Sequence, residues 1–162
     1  AVSLGADLIV STAGVSLGVY DYVKQVLEEN GQLDFWKVNM RPGKPLTFGH
    51  YKDIPFWGLP GNPVSAYVGS RIFLKPIIKK ILGLETQEEY LETSISEDIE
   101  SDGRESYLRV MVENSEKGSI AKLAKHQGSG NMYSLVCANA LLIVPAGVKS
   151  LPKGSKVKYI KI

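Results

Sequence analysis

The sequence predicts an α/β layer of doubly wound type, incomplete at its start, followed by a small all-β barrel. Three observations lead there. Up to Gly83, short apolar runs ending in Gly- and Pro-containing turns alternate with helical stretches, the pattern of a largely parallel sheet covered by helices. Between residues 85 and 105, nine acids stand against Arg104 alone, a shift that marks a boundary and reads as a solvated face. Beyond it come short β-rich segments, separated by turn signals at 114–118, 145–147 and 152–154. The expected units are residues 1–84 and 90–162.

The first run, residues 7–12, is apolar enough for a buried parallel strand. Such a strand needs neighbours on both sides and nothing upstream supplies one, so the chain is expected to be the C-terminal part of something longer, with an unpaired sheet edge. Residues 20–29 then read as a helix with Tyr22, Val23, Val26 and Leu27 on one face, stopped by Asn30-Gly31. A strand is expected over 33–40, then two more over 46–49 and 55–59, joined by a polar turn at 50–53. A long apolar helix over 63–82 carries Pro76, which should kink or split it, and Gly83, which should close it. In the second unit, strands are expected over 91–95, 107–112, 119–123, 140–144 and 156–162, with a short helix over 132–138.

Composition excludes several functions. With 19 basic and 17 acidic residues the net charge is +2, too balanced to argue for nucleic acid. The single cysteine, Cys137, rules out an intrachain disulfide, and two distant histidines, His50 and His126, argue against a His-based zinc site. No apolar run is long enough to span a bilayer, so no membrane partner and a cytoplasmic location are expected.

The functional signal lies at strand ends. At G-L-P-G-N-P-V-S (58–65) a strand stops and a helix starts: Pro60 and Gly61 turn the chain, Asn62 suits the N-cap, Pro63 the first helical position, and Ser65 adds a hydroxyl beside the free amides. Such a terminus favours an anion. The loop Arg41-Pro42-Gly43-Lys44-Pro45 lies in a stretch, residues 35–52, without any acid, so Lys37, Arg41, Lys44 and Lys52 find no local counter-charge. With the turn from Gly14 through Ser16 and Gly18 to Asp21, three punctuated loops fall at the carboxyl edge of the sheet, where ligands of open α/β sheets bind. A phosphate or another oxyanion fits this chemistry. Asp21 suits a helix N-cap as well as a cation ligand.

The ordered set G-V-S-L-G-V-Y-D (14–21), R-P-G-K-P (41–45), G-L-P-G-N-P-V-S (58–65), Y-L-R-V (107–110) and H-Q-G-S-G (126–130) resembles the MoeA family of molybdopterin molybdenumtransferases, whose relatives include gephyrin. The resemblance implies a MogA/MoeA-like molybdopterin-binding domain with its first strand and helix missing, then the family's C-terminal β-barrel. It also implies insertion of molybdate into adenylylated molybdopterin with release of AMP, magnesium as cofactor, and a homodimer in the full-length protein. Carried onto this sequence, Asp21 would hold the cation or the phosphate bridge, and Lys44 would face the anion as a point charge. Gly14, Ser16, Gly18, Arg41, Gly43, Pro45, Pro60, Gly61, Asn62, Ser65, Arg109 and Ser129 would bind the substrates. By residue type alone, Arg109 in a valine-rich strand reads as a surface arginine, and Gly128-Ser129-Gly130 as a turn. Ala13 stands where many relatives carry glycine, which restricts positive φ there. Arg41 replaces a frequent lysine, and Gly130-Asn131 replace a serine and an arginine of some relatives. The alternatives are a non-catalytic, dimerising, peptide-binding module of gephyrin type and a MogA-like molybdopterin adenylyltransferase.

Overall fold

The computed structural model describes residues 2–14, 22–116 and 118–162. After a single 3-10 turn at Val2–Leu4, strand β1 (Ile9–Thr12) leads toward helix α1 (Tyr22–Asn30). Strand β2 (Gly31–Phe35), strand β4 (Thr47–Tyr51) and strand β5 (Ile54–Leu59) complete a sheet in the order β1-β5-β4-β2. In it, β1 runs parallel to β5, and β4 runs antiparallel to both of its neighbours. The carboxyl ends of β1, β2 and β5 and the start of β4 therefore share one edge. Lys52 (φ 48°) and Asp53 (φ 65°) form the tight β4–β5 hairpin turn at the opposite edge, so Lys52 lies away from the loop cluster that its local charge suggested. Among the described residues β1 pairs only with β5, leaving Val10 half exposed.

One face of this sheet is covered by the helical stretch after β5. Leu46, Trp57 and Leu59 pack there with Phe35, Phe48, Phe73, Leu74 and Ile77. Four of those rings form a contiguous cluster, with Phe35 edge-on to Trp57 at 5.8 Å. The helical stretch is split three ways. Helix α2 (Pro63–Gly69) passes into a π-helical segment (Ser70–Leu74), then helix α3 (Lys75–Ile81). Pro76 lacks an N–H, and its ring would strike the carbonyl of Ile72 in a regular α-helix; the wide turn just before it relieves that clash. Gly83, at φ 69°, closes the stretch, with the Leu84 amide donating to Lys79 O at 2.8 Å. Helix α1 departs from its expected apolar face: Leu27 alone of the four is fully buried, and Tyr22 and Val26 are exposed.

The second unit is a closed five-stranded barrel. Strands β6 (Leu91–Ile95), β8 (Glu105–Ser115), β9 (Gly118–Leu123), β10 (Ala140–Val144) and β12 (Lys156–Lys161) follow each other around it as β10-β12-β6-β9-β8, and β8 closes the ring by pairing with β10. A two-residue pair missed in the sequence, β7 (Ile99–Glu100) with β11 (Ser150–Leu151), lies beside it. Helix α4 (Tyr133–Val136) is the expected short helix, trimmed at both ends. Side-chain alternation sends Leu108 and Val110 into the barrel core, and leaves Tyr107 on its outer wall against Val64, Val68 and Met40.

One strand crosses between the units. The strand expected over 33–40 ends at Phe35 after a register shift, and the chain loops round, with Val38 N–H donating to Lys44 O at 3.1 Å. Met40–Arg41 (β3) then joins the barrel sheet, parallel to Glu105 and Ser106. Met40 gains burial among Val64, Val68, Tyr107, Leu141 and Ile160, which the α/β sheet could not offer it.

Candidate functional site

A cavity of about 410 Å³ lies where β3, the loop after it, the start of α2 and the barrel wall meet. Arg41, Pro42, Gly43, Lys44, Pro45, Asn62, Ser65, Arg104, Leu108, Arg109, Gln127, Gly128 and Ser129 line it. Its four charged lining residues are all cations. Eight of the residues singled out in the sequence meet here: Arg41, Gly43, Lys44, Pro45, Asn62, Ser65, Arg109 and Ser129. Gly14, Pro60 and Gly61 stay along the sheet edge outside the lining. Ser16, Gly18 and Asp21 lie outside the described residues.

The basic loop takes its shape from Gly43, at φ 110°, a conformation strained for a residue with a side chain. A Cβ there would also stand 3.6 Å from Ser65 O, so the loop lies close over the start of α2. Asn62 occupies the N-cap position, but its side chain caps nothing in the helix; its Nδ2 donates instead to Ser129 Oγ at 3.0 Å. The Val64 amide donates to Ser129 O at 3.1 Å. One amide expected to be free for a ligand is thus used to join α2 to the barrel loop. Ala13, contrary to the restriction expected of a non-glycine, adopts φ 68°, and the missing Cβ of Gly61 leaves room beside it.

Arg109 overturns its reading as a surface residue: it is 1% exposed. Its Nε donates to Ser134 Oγ at 3.1 Å, and one Nη donates to the carbonyls of His126 at 3.2 Å and Gly128 at 3.1 Å. All three acceptors are neutral. Burial first, and the Arg41 charge second, hold its pKa down to about 10, which leaves it cationic at neutral pH. A buried cation held by neutral acceptors leaves its charge to be met from the cavity.

Arg104 and Gln127 were missed in the sequence. Arg104 hid in the acidic stretch, where its proximity to Asp102 was the only signal. Its Nη2 donates to Asp102 Oδ2 at 2.6 Å and its Nη1 to Met40 O at 3.4 Å, while Arg41 lies 3.7 Å from the same carboxylate. The Arg104 side chain and backbone amide hold Asp102 down to about 2. The acidic stretch is therefore more than a solvated boundary: Glu88 pairs with Arg71, Glu97 and Asp98 accept backbone amides, and Asp102 holds two arginines that line the cavity.

A larger, mainly apolar hollow of about 730 Å³ separates α1 from the sheet, and none of the described predicted site residues lines it. Among the described residues no group of three His, Cys, Asp or Glu side chains could hold a metal ion, and no helix is long and apolar enough to cross a membrane.

Residues 1–80 match a family described as a probable molybdopterin binding domain, and residues 94–162 match the MoeA C-terminal region (domain IV). This chain belongs to the MoeA family. A molybdopterin molybdenumtransferase of Nostoc sp. is 34% identical over 97% of this chain and 38% of its own length. The molybdenum cofactor synthesis protein cinnamon of Drosophila melanogaster is 35% identical over 90% of this chain and 25% of its own. A crystal structure of the molybdopterin biosynthesis MoeA protein from Pyrococcus horikosii superposes with a TM-score of 0.80 at 27% identity, covering 98% of this chain and 38% of that one. The chain thus spans well under half the length of these relatives.

Proposed function

We propose that this MoeA-family chain supplies the oxyanion half of a molybdenum insertase, which transfers molybdate into adenylylated molybdopterin and releases AMP. The observation that carries this reading is the cavity itself: Arg109 buried, with no carboxylate partner among the described residues, facing a space also lined by Lys44, Arg41 and Ser65. Cations fixed before the substrate arrives stabilise negative charge without reorganising, the largest single contribution in many enzymes. In this reading Arg109 and Lys44 hold the oxyanion, Ser65 and Ser129 hydrogen-bond its oxygens, and the loop 41–45 fixes its orientation toward the pterin. Gly14, Pro60 and Gly61, on the adjoining sheet edge, would receive the pterin adenylate, together with Ser16 and Gly18.

Magnesium belongs to the proposal through Asp21, which would hold it together with phosphate oxygens. The bound ion would neutralise charge on the phosphate bridge. Every charged residue of the described lining is a cation, which suits the anion and not the metal. The functional units proposed are 1–84 and 90–162, acting in the cytoplasm and within a homodimer of the full-length protein.

The test is molybdenum insertion by the full-length protein carrying Lys44→Ala or Arg109→Ala, with circular dichroism to confirm folding. Both variants are expected to lose at least about 100-fold in rate, the effect of removing one preorganised charge-stabilising group. Wild-type rates in both folded variants would reject the proposal.

A further inference from the structure

The carboxamide of Gln127 stands where a backbone peptide would otherwise pair with β8. Strand β9 ends at Leu123, and beyond it the Ala124 amide still donates to Arg109 O at 2.9 Å before the chain turns away. Gln127 then reaches back: its Oε1 accepts from the Arg109 amide at 3.0 Å, and its Nε2 donates to Arg109 O and Ala124 O, each at 2.8 Å. One acceptor and two donors of a single side chain are thereby satisfied by backbone. The carbonyls on either side of it in sequence, His126 O and Gly128 O, are the two that receive the Arg109 Nη2 protons. Residue 127 thus grips the backbone of Arg109, while residues 126 and 128 grip its guanidinium.

We propose that Gln127 is a positioning residue for the oxyanion: by fixing the 126–128 carbonyls on Arg109 it determines which guanidinium protons are consumed internally and which edge faces the cavity. The inference rests on the reading of Arg109 as an oxyanion contact. The guanidinium has five N–H groups in a rigid fork. With Nε on Ser134 and Nη2 on the two carbonyls, three are used, and the Nη1 edge is left for a ligand. Without the Gln127 clamp the loop carbonyls can shift, and displacements of about 1 Å in a charged site cost on the order of 100-fold.

The experiment measures affinity for sodium molybdate by equilibrium dialysis at fixed pH. It uses the full-length protein and its Arg109→Ala, Gln127→Met and Gln127→Glu variants, with affinity for adenylylated molybdopterin and thermal midpoint determined in parallel. Gln127→Met keeps the volume and removes the polar atoms; it is expected to weaken molybdate about 10- to 100-fold while pterin affinity stays at the wild-type value. Gln127→Glu keeps the acceptor for the Arg109 amide but turns a carboxylate oxygen against the Arg109 and Ala124 carbonyls that Nε2 now reaches, and is expected to weaken molybdate further than Gln127→Met. A merely structural role would lower both affinities together with thermal stability. Molybdate affinity at the wild-type level in folded Gln127→Met would overturn the inference; should that variant fail to fold, the same result in Gln127→Glu would do so. Undiminished molybdate binding by Arg109→Ala would instead remove the reading of the cavity on which the inference rests.

Discussion

Asp102 is exposed yet holds its proton less tightly than an ordinary carboxyl. The Arg104 side chain, then its backbone amide, then the charges of Arg104 and Arg41 favour the ionised form and take its pKa from 3.8 to about 2. Because the folded value is the lower one, its contribution to stability is present above about pH 4 and fades as pH falls toward about 2. Arg104→Ala should return the midpoint, read from the carboxyl carbon shift by NMR, toward 3.8. A midpoint still near 2 would mean that Arg41, and not Arg104, sets the carboxylate. The same rim shows why two arginines side by side can persist: one shared carboxylate offsets their repulsion without entering the cavity lining.

At the scale of elements, the helical stretch after β5 does two jobs at once. Its start joins the barrel loop through Val64 and Asn62, and its π-helical segment presents Arg71 to two partners. Arg71 binds Glu88 in a two-pronged pair at 2.5 and 2.8 Å, and donates to Lys161 O at 3.0 Å from the last barrel strand. The hydrogen bond to Arg71 is the main cause holding the Glu88 carboxyl below its ordinary range. Arg71→Ala is expected to cost about 1–3 kcal/mol in urea unfolding, the range for partly buried hydrogen bonds to charged groups. It should also speed amide exchange around residues 84–90. Unchanged stability would reduce the pair to a surface contact.

For the whole molecule, the barrel and the α/β layer share one apolar cluster, with Met40 contributed by the crossing strand β3. Cutting Met40 to alanine there should destabilise by about 2–5 kcal/mol, through lost burial and a residual cavity. Since the cluster spans both units, calorimetry of Met40→Ala should show one transition moved as a whole. Two transitions, with only one displaced, would show that the units unfold separately. The shared cluster also fixes the cavity, because its walls come from residues 41–45 and 62–65 on one side and 104–109 and 127–129 on the other.

Local rules placed most elements. The strands at 91–95 and 140–144 fall where the β-rich segments begin and end, and Pro76 splits its helix as a missing N–H requires. The loops at 41–45 and 58–65 carry the signal for the proposed anion site through residue types alone, since glycine turns, a helix start and a run of cations without acids are local properties. Residue type could not tell that Arg109 is buried, because a strand residue's face depends on what covers it. Nor could spacing show that Met40–Arg41 would leave the sheet for the barrel, or that Arg104 would line the cavity with Asp102 bound to it and to Arg41. By itself the sequence determined the sign of the charge gathered at the strand ends, and with it the proposal of an anionic ligand. Tertiary structure alone decided which cations face one another and which are neutralised, because charges separated along the chain acquire a mutual distance only when the core closes around them.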